Sequence, residues 1–258
     1  MLFGNQKIPC YVLVFDQVEI IKRTLDFLTK YSDRLDIVVL ENPSGNNSEI
    51  QKYVDGLGKA GLIKRYYLFG ENITSNAYTI AIEKELDLVR RSQYVVVTDG
   101  DVVVENTDWL KEEKRILQKH PEVFACGVTL DKINLPLATF PEAKGWVPPD
   151  INTYPDFFEA RTGGHLLLMR GTEFGAFMDL RKEQNLHFID GDLHWFCYDV
   201  LHKKWARTKT AKARHLTWDL YHDKNHPYTK LKTSVSFKDT WRHHREASYE
   251  LTDYENRK

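Results

Sequence analysis

Cysteine is scarce: the 258-residue chain has three, Cys10, Cys126 and Cys197. They are odd in number, widely spaced and form no CxxC pair. That pattern excludes a disulfide framework and a thiolate zinc site, and it suits a reducing compartment. No apolar run approaches the ~18 residues of a membrane span. No basic segment followed by a long apolar core opens the sequence, so no secretory leader is expected. A charge excess of either sign is missing too, since 36 Lys and Arg face 37 Asp and Glu. Binding duplex phosphates takes a basic excess, so nucleic acid is not an expected partner. Internal repeats and low-complexity tracts are absent. The expected location is cytoplasmic, or peripheral at a membrane surface.

What remains is an ordinary globular composition, 42% apolar and 28% charged. It is enough for the core of one large domain. The first half alternates strand and helix patterns. Residues 8–15 form a short apolar run, the signature of a strand buried on both faces. Val18, Ile21, Leu25 and Leu28 follow on one helical stripe. A second strand over 37–40 ends in the turn-rich stretch 41–47, and Ser48 is placed to cap the next helix. A third strand spans 63–69, and a helix covers 75–91. The fourth strand, 94–98, stops at Asp99-Gly100-Asp101. Thr107 is placed to cap a helix bearing Trp109 and Leu110, and a fifth strand covers 123–128. This order predicts an α/β fold: an open, mostly parallel twisted sheet with helices on both faces. Ligands on such sheets bind at the carboxyl ends of the strands.

The second half is less regular. Residues 131–160 are rich in proline and aromatics and read as a long, partly structured loop. Another strand is expected over 164–170, a helix over 172–184, and a last helix over 241–250.

Two carboxylates at a strand end carry the strongest signal. Asp99 and Asp101, two residues apart, can point the same way. Gly100 between them lets the backbone turn tightly and approach a ligand. Hard cations take oxygen ligands and share substrate phosphates, so the motif fits a metal–diphosphate clamp. A polar turn after a buried strand is the plainer reading. A second Asp-Gly-Asp, at Asp190 and Asp192, follows Phe188-Ile189. A carboxylate near aromatics can have a raised pKa and act as a general base. The same acids could instead start a helix. His215, late in the chain, could add an imidazole to a metal, although an isolated histidine is more often structural. Glu41 and Asn42, at the end of the second strand, sit where a strand-end acid can meet a nucleoside, although turn formation is the plainer reading of them. Trp146, Trp195 and Trp218 are flat rings able to stack on the apolar face of a ligand, although any one of them is more often a core residue.

In this order, these residues resemble the GT-A glycosyltransferases, especially the family 2-like group. Asp99-Gly100-Asp101 matches that family's Asp-x-Asp. The segment 162–170, with Gly163 and Gly164, looks like its donor-lining Gly-rich stretch. Asp190-Gly191-Asp192 stands where the family has its acidic base motif, although Gly191 splits the pair. The stretch 72–81, with Asn76, loosely echoes the nucleotide loop. The resemblance covers residues 8–222. It implies one catalytic domain over 1–222, with a nucleotide-binding half (1–130), an acceptor half (131–222) and a C-terminal extension (223–258). It implies a UDP- or GDP-linked sugar donor and a glycan, lipid-linked or protein acceptor. Mn²⁺ or Mg²⁺ would be held by Asp99, Asp101 and His215. Donor contacts would come from Glu41, Asn42, Asn76, Asp99, Gly163 and Gly164. Asp192, ahead of Asp190, would be the base of an inverting transfer. Two other readings stay open: a haloacid-dehalogenase-like phosphatase with Asp99 as nucleophile, and a non-catalytic nucleotide-sugar or glycan-binding module.

Overall fold

A computed structural model describes residues 6–184, 186, 190–234 and 246–255. Phe188 and Ile189 of the second acidic motif, and residues 241–245 of the expected last helix, lie outside the described residues. The first half runs β1 (Ile8–Phe15), α1 (Val18–Thr29), β2 (Leu35–Asn42), α2 (Asn47–Lys59) and β3 (Arg65–Phe69). It continues with α3 (Asn76–Lys84), α4 (Leu86–Arg91), β4 (Tyr94–Asp99), β5 (Val102–Val104), α5 (Trp109–Lys119) and β6 (Val123–Leu130). The second half holds the short strands β7 (Asn152–Thr153), β8 (Phe158–Glu159) and β9 (Leu167–Arg170). After them come α6 (Gly171–Gln184), α7 (Asp190–Trp195), the long β10 (Lys204–His215), α8 (Pro227–Thr233) and β11 (Tyr249–Asp253).

All these strands join one sheet, in the order β11-β3-β2-β1-β4-β9-β6-β10-β8-β7, with β5 against β10. The pairings β1–β2, β1–β4, β2–β3 and β6–β10 are parallel. Every antiparallel pairing involves a strand of five residues or fewer. The expected open, mostly parallel α/β sheet is therefore present.

Side chains alternate across each strand, so an all-apolar strand feeds two cores. Cys10, Val12 and Val14 of β1 and Ile37 and Val39 of β2 join one cluster. Tyr11 of β1 and Val38 and Leu40 of β2 join the other. Because β1, β2 and β4 are parallel, their carboxyl ends fall at one edge of the sheet.

Three local expectations are corrected. The caps of α2 and α5 are Asn46 and Asp108, not Ser48 and Thr107, and the Asp108 carboxylate accepts from the Lys111 N–H. The helix expected over 75–91 breaks at Glu85, whose carboxylate is engaged by Tyr11 and Arg65. Residues 249 and 250, the end of the helix expected over 241–250, belong instead to the edge strand β11, antiparallel to β3.

Candidate active site

The site begins where β4 ends. Asp99 closes the strand, and Gly100 turns the chain beneath β1. A Cβ at Gly100 would lie 2.7 Å from Val14 Cγ1 and 2.8 Å from the Leu13 carbonyl oxygen. The Gly100 N–H donates to that carbonyl at 2.7 Å. The glycine is therefore required by the close approach of β1, not by a ligand as its place in the motif implied. After this turn, Asp99 and Asp101 both line a cavity of about 680 Å³.

The second component comes from the Gly-rich segment. The Asp99 N–H donates to the Gly164 carbonyl (3.2 Å), and the Leu166 N–H donates to Thr98 Oγ1 (3.1 Å). Leu166 has φ +46°, a left-handed conformation that a leucine adopts only when its surroundings enforce it. These contacts turn His165 inward, where its Nδ1 lies 3.6 Å from Asp99 Oδ2. A Cβ at Gly163 would meet the His165 ring at 2.6 Å and Asp190 Oδ2 at 3.0 Å, so Gly163 makes room for both.

The third component is the end of β10. Its antiparallel pairing with β5 sets His215 opposite Val102, one residue past Asp101. The His215 Nδ1 lies 3.4 Å from Asp101 Oδ2, and Thr217 donates to the same oxygen at 2.5 Å. The other carboxylate oxygen of Asp101 is buried with no hydrogen-bond partner among the described residues. One ligand atom each from Asp99, His165 and His215 lie within 4.8 Å of one another, a grouping able to hold a metal ion.

Electrostatics follow from this crowding. Burial lowers the His215 pKa against the pull of Asp101, which favours the neutral imidazole that metals bind. Burial also acts to lower His165, but Asp99, Asp190 and Asp101 outweigh it and hold its pKa above the ordinary value. Asp190 opens α7 at the cavity rim. The residue as a whole is exposed, yet its carboxyl is turned inward against Gly163. Desolvation of that inward carboxyl, with the charge of Asp99, raises it to about 6 against the pull of His165 and a bond from the Gly164 backbone. Lys232, on α8, lines the same cavity. Burial lowers its pKa while Asp101 and Asp99 resist.

Not every expected residue lies in the cavity. Asp99, Asp101, His215, Asn42, Gly164 and Asp190 line it. Asp192 does not: Asp190 and Leu193 share one face of α7, and Asp192 sits about 200° around the helix from Asp190. Glu41 does not either. It is fully buried, and Tyr66 donates to its carboxylate inside the core. Its neighbour Asn42 faces the opposite way, as strand alternation requires. The Asn42 amide bonds the Ile73 N–H and the Thr74 carbonyl, both at 3.1 Å, and so holds the loop after β3 in place. Asn76 is buried behind that loop, and Thr74 and Ser75 form the wall instead. Gly163 lines a small neighbouring cavity rather than this one.

Among the lining residues that the sequence did not single out are His165, Thr217, Tyr228 and Lys232. His165 had a faint signal, being the histidine that follows the paired glycines. The other three had none.

No protein-family profile matches the chain. It is 42% identical to the uncharacterized protein L142 of Acanthamoeba polyphaga mimivirus, over 89% of this chain and 47% of that protein. It is 42% identical to the uncharacterized protein L137 of the same virus, over 97% of this chain and 34% of that protein. The chain thus spans less than half the length of these relatives. Among solved structures, it is similar to the mannosyltransferase PcManGT from Pyrobaculum calidifontis in complex with GDP-Man and Mn²⁺. That likeness has a TM-score of 0.52 at 15% identity, over 82% of this chain and 57% of that one. It is also similar to GalNAc-T7 with UDP, GalNAc and Mn²⁺, with a TM-score of 0.55 at 12% identity, over 81% of this chain and 43% of that one. With its strand-end cavity, the chain therefore has the GT-A fold of these glycosyltransferases.

Proposed function

We propose that this chain is a metal-dependent glycosyltransferase acting on a nucleoside-diphosphate sugar. One observation carries the reading: Asp99, His165 and His215 converge at the carboxyl end of β4 inside a cavity of ligand size. The two similar structures, which contain Mn²⁺ with a nucleotide or nucleotide sugar, support it.

The donor set fits a divalent ion. Two imidazoles with one carboxylate favour Mn²⁺ over Mg²⁺, because Mg²⁺ takes oxygen almost exclusively. Asp101 and Thr217 occupy the Nδ1 side of His215, so Nε2 is the ring nitrogen that would be offered to an ion. When bound, the ion supplies positive charge to the departing diphosphate. Lys232 adds a second positive charge on the same cavity. Asn42 at the end of β2 and Asn72, Thr74 and Ser75 in the loop after β3 line the part of the cavity that would take the nucleoside.

Asp190 is the general base in this reading, in place of Asp192. Its inward carboxyl takes the proton of an acceptor hydroxyl. The hydroxyl oxygen bonds to the anomeric carbon as the carbon–diphosphate bond breaks, and the nucleoside diphosphate leaves. Attack opposite the leaving group inverts that carbon.

The test is a panel of UDP- and GDP-sugars with Mn²⁺, with Mg²⁺ and with EDTA, following release of nucleoside diphosphate. Release from one donor with Mn²⁺, weaker with Mg²⁺ and absent with EDTA, is expected. Metal-dependent donor binding without release or transfer to any acceptor would replace this reading with a binding module. Hydrolysis of a simple phosphomonoester with no donor response would replace it with a phosphatase.

A further inference from the structure

The cavity has two unlike halves on either side of the metal-binding group. The half under β2 and β3 is polar. The other half, reached from β10, is aromatic. There the His215 ring stacks flat on Trp218, with centroids 4.8 Å apart and an interplanar angle of 5°. Trp218 packs against Trp146 at 6.0 Å, and Tyr221 braces Trp146 at 5.6 Å. Phe140 closes the cluster from behind, 6.2 Å from Trp146. Trp218 is buried, but Trp146 is 36% exposed at the cavity rim.

An indole held open to solvent by three other rings is a prepared contact surface. Its rotamer is fixed by packing, so little side-chain entropy is left to lose on binding. Trp146 ends a single 3-10 turn over Pro141–Gly145, and its N–H bonds the Ala143 carbonyl at 3.0 Å. The Pro-rich loop thus acts as a rigid bracket for this ring.

The chemistry of the wall selects its occupant. Each ring has an apolar face and, on Trp and Tyr, a polar tip. A sugar ring has the matching character, with C–H groups on one face and hydroxyls around the edge. A lipid chain would need a continuous aliphatic trough. The aliphatic lining residues Leu13, Ile20 and Ile21 come instead from β1 and α1, and Leu193 from α7.

We propose that Trp146, Trp218 and Tyr221 form the acceptor subsite and take a saccharide, with its apolar face stacked on Trp146. This inference rests on the glycosyltransferase reading. The ordering of the rings puts the stacked sugar about one ring beyond the metal-binding group.

The probes are lactose, maltose, cellobiose, N,N′-diacetylchitobiose, α-1,2-mannobiose and octyl β-glucoside. Each is added to the full chain with Mn²⁺ and the nucleoside diphosphate that binds. Saturation-transfer NMR, irradiating aromatic protons, reads the contact. Sugar-ring protons of at least one probe are expected to gain signal. Trp146→Leu, which keeps apolar bulk but removes the ring, is expected to abolish that signal. It is also expected to raise the acceptor KM at least tenfold. Trp146→Phe, which keeps a ring, is expected to recover most of the affinity. Signal from no probe, signal confined to the octyl chain, or equal signal from wild type and Trp146→Leu would each overturn the subsite. The parallel titration of wild type with Mn²⁺ and nucleoside diphosphate keeps the two readings apart. If it succeeds while saccharides fail, only the subsite falls. If saccharides stack on Trp146 but no nucleotide binds, the glycosyltransferase reading falls.

Discussion

Asp190 and Asp192 have the same functional group and differ by a rotation. The sequence offers both acids, and neither composition nor spacing separates them. Helix phase does: α7 turns Asp190 and Leu193 into the cavity and carries Asp192 away from it. Asp190 is the first residue of that helix among the described residues, and Leu193 lies three residues on, on the same face. Asp190→Asn is therefore expected to lower transfer by at least about a hundredfold, the usual loss for a positioned base. Nucleoside-diphosphate affinity with Mn²⁺ is expected to change little. Asp192→Asn is expected to keep transfer within about threefold of wild type. Steady-state kinetics on the two variants decide it, and the opposite ranking would return the base to Asp192. At this scale Asp99 could be picked out because a strand-end carboxylate states its chemistry, whereas Asp101, expected as a ligand, lies against His215 outside the three-atom group. His165 was not legible, because its role depends on Leu166 adopting a left-handed backbone.

At the scale of elements, the buried strands could be read and the edges could not. Strands β1, β2 and β4 are continuous apolar runs because both faces meet a core. β11 reads Tyr-Glu-Leu-Thr-Asp and is half-exposed, so only its pairing with β3 makes it a strand. The end of β2 shows how alternation assigns place. It sends Asn42 to the cavity and Glu41 into the core, against the expectation that Glu41 meets the nucleoside. Burial raises the Glu41 pKa from 4.5 to about 7, although the bond from Tyr66 opposes it. Between these two values the folded chain holds a proton that the unfolded chain has released. Stability therefore falls as pH rises from about 4.5 to about 7 and levels off above. The full shift corresponds to at most about 3 kcal/mol. Glu41→Gln keeps an acceptor for Tyr66 and removes the titration. Urea midpoints should show the variant gaining on wild type as pH goes from 5 to 8. A difference independent of pH would mean that Glu41 is ionised in the folded chain.

At the scale of the whole molecule, residues far apart in sequence share one cavity, and their charges have to be reconciled. Asp99, Asp101 and Asp190 stand together with His165, His215 and Lys232. The unfolded chain scatters these groups over more than 130 positions and has no preformed site, so metal affinity becomes folding stability. Saturation at a hundred times the dissociation constant contributes about 2.7 kcal/mol. For a chain of this size, each kcal/mol moves the melting temperature by roughly 2–4 °C. Mn²⁺ is therefore expected to raise the melting temperature by about 5–10 °C over EDTA-treated protein. Nucleoside diphosphate should add a further rise only when Mn²⁺ is present. The ligand assignment sets the ranking of variants. Asp99→Asn, His165→Ala and His215→Ala should each remove most of the Mn²⁺ shift. Asp101→Asn should remove less, since its carboxylate orients His215 rather than joining the three-atom group. Thermal scans of wild type and the four variants, with and without metal, test the whole arrangement. If His165→Ala kept the full shift while Asp101→Asn lost it, the ion would be held by the strand-end acid pair with His215. If wild type showed no shift, the convergence of these side chains would owe nothing to a metal.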